Sequence, residues 1–583
     1  MILQSLYELS ERLEGIAPEG FETKRIPFKC CLNSAGQFVG FEDTRQLAGK
    51  KLVGQEFLVP SLGEAKGNGI KANLLWENAE YVFGVPTKET SKPDRVKLQA
   101  KTFRDKIQSL GADRSPWREV IAFLENLPMS ALEADPLWGE VKEPSSLIAL
   151  AMDGYGILTA HPDVKNGESN PASDQGQSED CKGICLVTGE QSSLVRLVPQ
   201  IKGVRGANPT GGSLVAVNNK FENGRNQGAT PAFASYNKQT AFNSPMSPRA
   251  AEGFVKAANE LLKDERRHLV VGDATVVFWA ERKAEFEEQF PWFFKPDSQK
   301  DGSDLEVQAV MTLYKSFSIG AEIPDAQTRF FVLGFAPNSA RISIRFWQNG
   351  TIGEFSGRIR RHFDDLEIVR GPKDIGRYAL WHCLKDISAQ QDSSNIPPNL
   401  VGNVTRAILE GTPYPATLLQ QTIRRIRAEQ KVTRIRASLL KAYLNRFQRT
   451  HPTNEKEILV SLDPANTNPG YLLGRLFAVL EKIQEDAQPG INATIRDRYY
   501  GAASASPVTV FPQLLKLKNH HLAKLENPAF RISHEKRLTE IIEGLPPSMP
   551  NHLSIEEQAR FAIGYYHQRQ ALFTKSDKNT SET

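Results

Sequence analysis

The chain has 583 residues, 40% of them hydrophobic and 24% charged, which suits several globular domains and excludes a disordered or fibrous chain. No stretch approaches the ~20 apolar residues that span a bilayer, and Glu8, Glu11 and Glu14 stand where a signal peptide would be apolar. The five cysteines, an odd number, do not suit a disulfide framework. We expect a cytoplasmic protein with no membrane partner.

Positive charge is concentrated in one segment. The whole chain carries a net charge of +4, but residues 401–450 hold ten Lys or Arg and two Glu, so that this segment alone carries 10 − 2 = +8. The rest of the chain is then acidic, at 4 − 8 = −4. A local surplus of this size points to a polyanionic partner more directly than the total charge does.

The N-terminal region mixes a helix with strands. The apolar spacing over residues 2–13 predicts an amphipathic helix. Two strand-like segments, 25–32 and 37–42, flank the turn-forming residues 33–36, and this pattern predicts a β-hairpin.

The middle of the chain is rich in β-branched and aromatic residues. These residues fill 270–280 and 329–347, where strands are expected, and Pro337-Asn338-Ser339 predicts a hairpin turn. From residue 400 onward the apolar period changes from two to 3.6, as in 472–483, which predicts a helical bundle.

These patterns predict an α+β protein with a mixed α/β N-terminal domain, a strand-rich middle domain and an all-α C-terminal bundle. Polar, helix-breaking runs mark the expected boundaries, because such runs bury too little apolar surface to order themselves. The predicted segments are 1–164, a polar linker at 165–183, 184–395, a basic helical segment at 396–459, the bundle at 460–574 and a disordered tail at 575–583.

Residues for catalysis or metal binding are sparse. Cys181 and Cys185 form a C-x₃-C pair with no second cysteine pair nearby, so that a zinc site would need distant ligands, and buried or free thiols are the alternative. The ten histidines include no H-E-x-x-H motif. We expect no catalytic residue, no metal site and no cofactor.

Two glycine-rich loops could approach phosphates or bases. The loop 202–213 lacks the G-K-[ST] of a nucleotide-binding loop and precedes an expected strand at 214–217. It remains open as a structural loop or a cradle for a nucleic-acid backbone. The loop 66–73 places two glycines around Asn68 with a lysine on either side, which fits an ordinary turn or a narrow cationic projection that enters a DNA groove.

The basic segment offers a cationic helix face. If residues 420–436 form one helix, Arg424, Arg427 and Lys431 lie on one side of it. A face with so few acids favours binding of a polyanion, and a solvated or partner-facing helix is the alternative.

Several blocks of sequence resemble one known family. They include GIKANLLWENAEYVFG (69–84), CLVTGE (185–190), IKGVRGA (201–207), GDATVVFWAE (272–281), PNSARISIRFW (337–347) and YLLGRLFAVLEKIQEDA (471–487). In this order they resemble the large, Csd1-type subunit of the type I-C CRISPR interference complex, Cascade. The resemblance runs from residue 1 to at least residue 525.

The resemblance implies a non-catalytic subunit that recognises the protospacer-adjacent motif in double-stranded DNA, helps to open the duplex and holds the displaced non-target strand. The implied partners are CRISPR RNA, target DNA, the Cascade backbone and guide-processing subunits, and a helicase-nuclease. The implied motif-reading residues are Lys66, Gly67, Asn68, Gly69, Lys71 and Asn73. The implied non-target-strand residues are Lys202, Arg205, Arg341, Arg345, Arg424, Arg425, Arg427, Lys431, Arg434 and Arg436.

The family also implies a small subunit made from the C-terminal region by internal translation. Because no Met lies near residue 463, we predict a start at Val460, which gives 583 − 459 = 124 residues. Two other functions stay open from the sequence: a guide-independent single-strand nucleic-acid-binding protein, and a nuclease.

Overall fold

The computed structural model describes residues 2–13, 17–18, 20–49, 51–62, 70–165, 182–216, 219–222, 225–229, 240–294, 314, 325–371, 374, 376–392, 395–452 and 455–573. The predicted tail at 575–583 and residues 166–181 of the predicted linker lie outside this set. The chain divides into two compact units, the first made of Met1–Lys263 with Pro337–Ile342, and the second of Asp264–Ala336 with Ser343–Thr583. The predicted domain boundaries stay predictions.

The first unit combines short helices with strands. Its helices are α1 (Ile2–Arg12), α2 (Ala79–Val82), α3 (Pro93–Gln108), α4 (Trp117–Glu125), α5 (Met129–Ala134), α6 (Trp138–Val141), α7 (Pro162–Lys165) and α8 (Pro248–Lys263). Its strands are β1 (Phe21–Ile26), β2 (Phe28–Leu32), β3 (Phe38–Asp43), β4 (Gln46–Ala48), β5 (Lys51–Val53), β6 (Gln55–Pro60), β7 (Trp76–Glu77), β8 (Ile148–Met152), β9 (Gly156–Ile157), β10 (Lys182–Ile184), β11 (Gln191–Ser193), β12 (Asn219–Glu222) and β13 (Arg225–Ala229).

The central sheet of the first unit has the order β3-β2-β8-β7, with β9 paired to β8. Strand β2 buries alternate residues, Phe28, Cys30 and Leu32, against a core that includes Phe103 and Trp117 from helices α3 and α4. The pairing of β2 with β8 is parallel, and the other pairs are antiparallel. The sheet therefore packs one face on helices, as the period-2 burial requires.

The predicted hairpin and N-terminal helix are both confirmed. Strands β2 and β3 pair in antiparallel register across the turn at residues 33–36. Gly36 has a φ of +77°, and a Cβ there would lie 2.7 Å from the carbonyl oxygen of Glu119, so that the turn requires glycine. Helix α1 buries Leu6 and Leu9, as its apolar spacing predicts.

The second unit begins with strands and ends in helices. Its strands are β14 (His268–Val271), β15 (Ala274–Ala280), β16 (Arg329–Asn338) and β17 (Arg341–Thr351), except that the tip of the β16–β17 hairpin, Pro337–Ile342, belongs to the first unit. Its helices are α9 (Phe286–Phe294), α10 (Ile352–Asp365), α11 (Leu380–Asp386), α12 (Pro398–Glu410), α13 (Ala416–Glu429), α14 (Arg434–Thr450), α15 (Pro469–Ala487), α16 (Ile495–Ala503), α17 (Pro507–Ala523), α18 (Pro528–Glu543) and α19 (Ile555–Phe573).

The four strands form a sheet in chain order, β14-β15-β16-β17. Every residue of β15 is buried, and Phe278 packs with Phe290 of α9 at a ring separation of 5.0 Å. The expected hairpin between β16 and β17 is confirmed, with its turn at Ser339, whose φ is +54°. One hydrophobic core continues from this sheet into the C-terminal helices.

Helices α15 and α19 form the centre of the C-terminal bundle. Helix α15 is buried on nearly all sides from Gly470 to Glu481, although its sequence predicts only one apolar face. Gly474 and Gly564 lie where the two backbones cross, and a Cβ on either would overlap a carbonyl oxygen of the facing helix. The close crossing explains why this helix is buried beyond its apolar stripe.

The α+β class is confirmed, since strands and helices mix before residue 351 and only helices follow it among the described residues. One predicted strand is wrong: in the expected strand at 214–217, residues 214 and 215 form a bend and residue 216 has no regular structure. Within the described part of the chain, no helix is long and apolar enough to cross a bilayer.

Candidate nucleic-acid interface

The predicted motif-reading loop is described only at its C-terminal end. Residues 66–69, with Lys66, Gly67, Asn68 and Gly69, lie outside the described set. Asn73 is 5% exposed, and its Nδ2 donates to Oε1 of Glu77 at 2.8 Å. This buried amide is already satisfied inside the fold. Its placement argues against the predicted DNA contact, so that Asn73 is not included in the proposal below.

A lysine that sequence reasoning missed stands next to this loop. Lys106 of α3 donates from Nζ to the carbonyl oxygen of Ala72 at 2.9 Å. Burial, with the nearby charge of Lys71 as the second cause, lowers the pKa of Lys106 to about 8. Lys71 itself is half-buried. The two lysines bring positive charge to one place from segments 35 residues apart (106 − 71).

The second glycine-rich loop is closed at its base and packs on a hairpin tip. Ile201 and Gly212 exchange two backbone hydrogen bonds, of 2.9 and 2.8 Å. Ser213 then pairs with Arg341 at the start of β17. The loop and Arg341, predicted separately to bind a strand, are thus neighbours in the first unit.

The two predicted cations of this loop are exposed. Lys202 and Arg205 both lie on its outer side, and the backbone N–H of Lys202 donates to Oδ1 of Asn259 at 2.8 Å. Arg345 belongs instead to the second unit and pairs with Asp273 at 2.5 Å. The structure therefore brings Lys202, Arg205 and Arg341 together and leaves Arg345 in an ion pair elsewhere.

The single helix assumed for residues 420–436 is divided between two helices in the structure. Helix α13 ends at Glu429 because Gln430 adopts a left-handed conformation, with a φ of +52°. Thr433 then caps α14, its Oγ1 accepting from the backbone N–H of Arg436 at 3.2 Å.

The cations of this segment differ in exposure. Arg424, Arg427 and Lys431 are exposed, whereas Arg425 pairs with Glu429 at 3.0 Å on its own helix. The exposed set remains available to an external polyanion.

Two further arginines of the segment serve the fold. Arg434 donates to the carbonyl oxygen of Gly376 at 2.9 Å and lies over the ring of Tyr378. Arg436 is fully buried, with its guanidinium bonded to Asp386 at 3.2 Å and Glu429 at 2.5 Å. A buried, doubly paired guanidinium cannot meet a DNA phosphate, so that the placement of Arg436 argues against its predicted role.

Comparison with known proteins assigns the chain to a family. A family model described as CRISPR-associated protein (Cas_Csd1) matches residues 3–573. The chain belongs to the Csd1 family. This confirms the resemblance read from the sequence, and the chain is a CRISPR-associated protein of the Cascade type. No curated protein matches it.

The predicted internal start of this Csd1 protein lies between two helices. Val460 is exposed and follows α14, which ends at Thr450, and precedes α15, which begins at Pro469. Its carbonyl oxygen accepts from the backbone N–H of Val369 at 2.7 Å. A chain that started here would contain α15 to α19 without cutting a helix.

The structure describes one cysteine of the C-x₃-C pair that was considered for zinc in this Csd1 protein. Cys181 lies outside the described residues, and Cys185 is a buried thiol. Burial raises its pKa, but hydrogen bonds from Ser247 and Thr188 outweigh burial and lower the pKa to about 7. Among the described residues, no group of three or more His, Cys, Asp or Glu is placed to hold a metal ion.

Sequence reasoning also missed a basic cluster in the second unit. Helix α10 carries Arg358, Arg360 and Arg361, and together with α14 it lines a cavity of about 700 Å³. The run Arg-Ile-Arg-Arg was visible in the sequence, but it lies outside the segment with the strongest charge surplus.

Proposed function

We propose that this chain is the non-catalytic large subunit of an RNA-guided type I-C complex. In this proposal it recognises a short flanking motif in double-stranded DNA, helps to open the duplex, holds the displaced non-target strand and supports recruitment of a helicase-nuclease. The family match over residues 3–573 carries the proposal. Its partners would be CRISPR RNA, target DNA, the other Cascade subunits and a small subunit from its own C-terminal region.

Two exposed basic surfaces support a role in strand binding. The first is the loop with Lys202 and Arg205, next to Arg341. The second is the exposed set on and after α13, with Arg424, Arg427 and Lys431. Exposed cations that neutralise phosphates gain affinity by releasing counterions.

Assembly with and without the chain tests the proposal. Complexes of CRISPR RNA and the remaining subunits should bind matched duplex DNA about tenfold or more weakly when the chain is omitted. Equal binding without it contradicts the proposal. Hydrolysis of DNA by the purified chain would favour the nuclease, and tight single-strand binding unchanged by guide RNA would favour the guide-independent protein.

Motif reading by the loop 66–69 has a sharper test. We predict that Asn68→Ala weakens binding to duplex targets by about tenfold and leaves targets that are already opened nearly unchanged, because only the duplex presents the motif in a groove. Filter binding of both targets to the assembled complex measures this. Equal loss on the two targets would show that Asn68 does not read duplex DNA.

A further inference from the structure

A cationic cleft opens in the second unit between α10, α14 and the connector that precedes α15. Its volume is about 700 Å³. Six cations and four carboxylates line it, a surplus of 6 − 4 = +2. The cations are Arg358, Arg360, Arg361, Lys441, Arg446 and Arg449, and the carboxylates are Glu354, Asp364, Asp365 and Glu457.

Asp365, the most buried carboxylate of the cleft, pairs with cations of α14. Asp365 accepts from Nε of Arg446 at 3.0 Å and from Nη2 of Arg449 at 2.5 Å, and its carbonyl oxygen accepts from Nζ of Lys441 at 2.9 Å. Arg449 also pairs with Glu457 at 2.6 Å. These two acids therefore pair with the cations of α14.

The two remaining carboxylates are also occupied. Glu354 closes a capping box with Thr351 at the start of α10. Asp364 accepts a hydrogen bond from the hydroxyl of Tyr314 at 2.9 Å. Both keep their negative charge, and the surplus of +2 already counts them.

Two arginines of α10 have no carboxylate partner among the described residues. Arg358 donates from Nη1 to the carbonyl oxygen of Leu409 at 2.8 Å and makes no ion pair there. Arg361 is exposed, one turn further along the same helix. Their charges face the cleft without a counter-ion in the described part of the chain.

A buried donor in the cleft wall also lacks an acceptor. Arg446 is 3% exposed, and its Nη2 has no hydrogen-bond partner in the described structure. Burial removes water from this guanidinium nitrogen, and no protein acceptor in the described structure replaces it. An anion bound in the cleft would add negative charge next to this guanidinium.

The cleft also has open space and an apolar wall, which fit an extended polymer better than a small ion. Gly357 of α10 lines the cleft, and a Cβ there would meet nothing within 4 Å. On the connector, Leu459 and Val460 offer exposed apolar surface. Cationic and apolar walls together match the phosphates and the sugar-base moieties of a nucleotide chain.

We propose that this cleft binds the phosphodiester backbone of a single nucleic-acid strand. The proposal rests on the proposed function and gives strand binding a site that lies apart from the exposed cations of α13. Arg358 and Arg361 would contact successive phosphates, and Gly357 leaves the space through which the strand passes.

The test uses the full-length chain and a fluorescein-labelled oligothymidylate, with binding followed by fluorescence anisotropy over a salt series. Arg361→Glu should weaken binding about tenfold and lower the slope of log Kd against log salt by about 0.7 for each phosphate that the protein no longer neutralises. Gly357→Leu should weaken binding about as much by filling the passage, although it changes no charge.

Two control variants separate these effects from folding and net charge. Gly357→Ala adds a Cβ that meets nothing, and Arg531→Glu makes the same charge change at an exposed position of α18. Both should bind within about twofold of the wild type. All four variants are checked by circular dichroism for an unchanged helical signal.

Wild-type affinity in both cleft variants would overturn the inference. A second result would also overturn it: the wild type binds polyglutamate more tightly than oligothymidylate, and the two cleft variants weaken polyglutamate binding about tenfold. That result would assign the cleft to an acidic protein segment. If the wild-type chain binds no oligothymidylate, the inference fails, while assembly with CRISPR RNA still decides the proposed function separately.

Discussion

At the scale of single residues, some arginines of the basic segment are exposed and available for binding, and others are buried and stabilise the fold. Arg424 and Arg427 are exposed, whereas Arg436, within twelve residues of Arg424, is fully buried against Asp386. Loss of one partner of a buried ion pair costs about 3–5 kcal/mol, and loss of an exposed charge costs little. Removal of Arg436 therefore tests stability, and removal of Arg424 tests binding.

The lowered pKa of Lys106 predicts that the stability of the fold depends on pH. Its pKa falls from 10.5 to about 8 in the fold, so that between these values the unfolded chain holds a proton which the folded chain has released. Stability therefore rises with pH over this window, and the cost of burying the charge is fully present below pH 8. We expect the wild type to gain about 1 kcal/mol relative to Lys106→Met between pH 7 and pH 9.

Urea unfolding of both proteins at the two pH values, followed by tryptophan fluorescence, measures this gain. Lys101→Met, at an exposed position of the same helix, is the control, and its difference from the wild type should stay constant. A constant difference for Lys106→Met as well would mean that Lys106 keeps its proton in the fold over this range.

The roles of single residues could be predicted from the sequence where neighbouring residues determine them. The turn at 33–36 could be read from its composition, and Gly36 does adopt a positive φ. The burial of Arg436 could not be read from the sequence, because its partner Asp386 lies 50 residues before it. A basic run looks the same in sequence whether or not a distant acid meets it.

At the scale of elements, the crossing of α15 and α19 depends on two glycines. A Cβ at Gly564 would overlap the carbonyl oxygen of Tyr471 and lie 2.9 Å from its carbonyl carbon. A Cβ at Gly474 would meet Phe561 in the same way. Both contacts are with backbone, which cannot rotate away, so that the helices must separate to admit a methyl group.

We predict that Gly564→Ala destabilises the second unit by about 3 kcal/mol, because packing weakens along the whole crossing. Far-UV circular dichroism during urea unfolding measures the change. Gly501→Ala in α16 is the matched control, because a Cβ there meets nothing within 4 Å and alanine favours a helix by about 1 kcal/mol. Equal midpoints for the two variants would contradict a close crossing.

The ends of helices were also hard to predict from the sequence. The cap at Thr433 is a residue type that favours helix starts, but the end of α13 at Gln430 has neither glycine nor proline to announce it. The burial of α15 on most sides depends on α19, which begins 68 residues after α15 ends (555 − 487). Periodicity therefore predicted that these helices exist, and tertiary contacts decided where they stop and what they bury.

At the scale of the whole molecule, the predicted small subunit would lose packing that its helices share with the rest of the chain. In the full chain α19 packs on α14, where Tyr566 lies beside Ala437 and Ile368, and its hydroxyl donates to the carbonyl oxygen of Val369 at 2.9 Å. A separate 460–583 fragment keeps the crossing of α15 and α19 but loses this cover. Its apolar face would then need a partner.

We predict that the native gene yields both the full chain and a fragment of 124 residues that starts at position 460. The structural reason is that residues 455–468 join α14 to α15 without a helix, so that a start at Val460 leaves every later helix whole. Intact-mass analysis of the purified complex measures the fragment.

A synonymous change of the Val460 codon, to one that does not initiate translation, gives the control, because it leaves the full-length protein identical. The fragment should disappear while the amount of full-length chain stays the same. A fragment that persists after this change would arise from proteolysis or from another start, and a native gene that yields only the full chain would contradict the prediction. Since the fragment would lack the cover that Ala437 and Ile368 provide, it should be recovered bound to the complex and not as a free monomer.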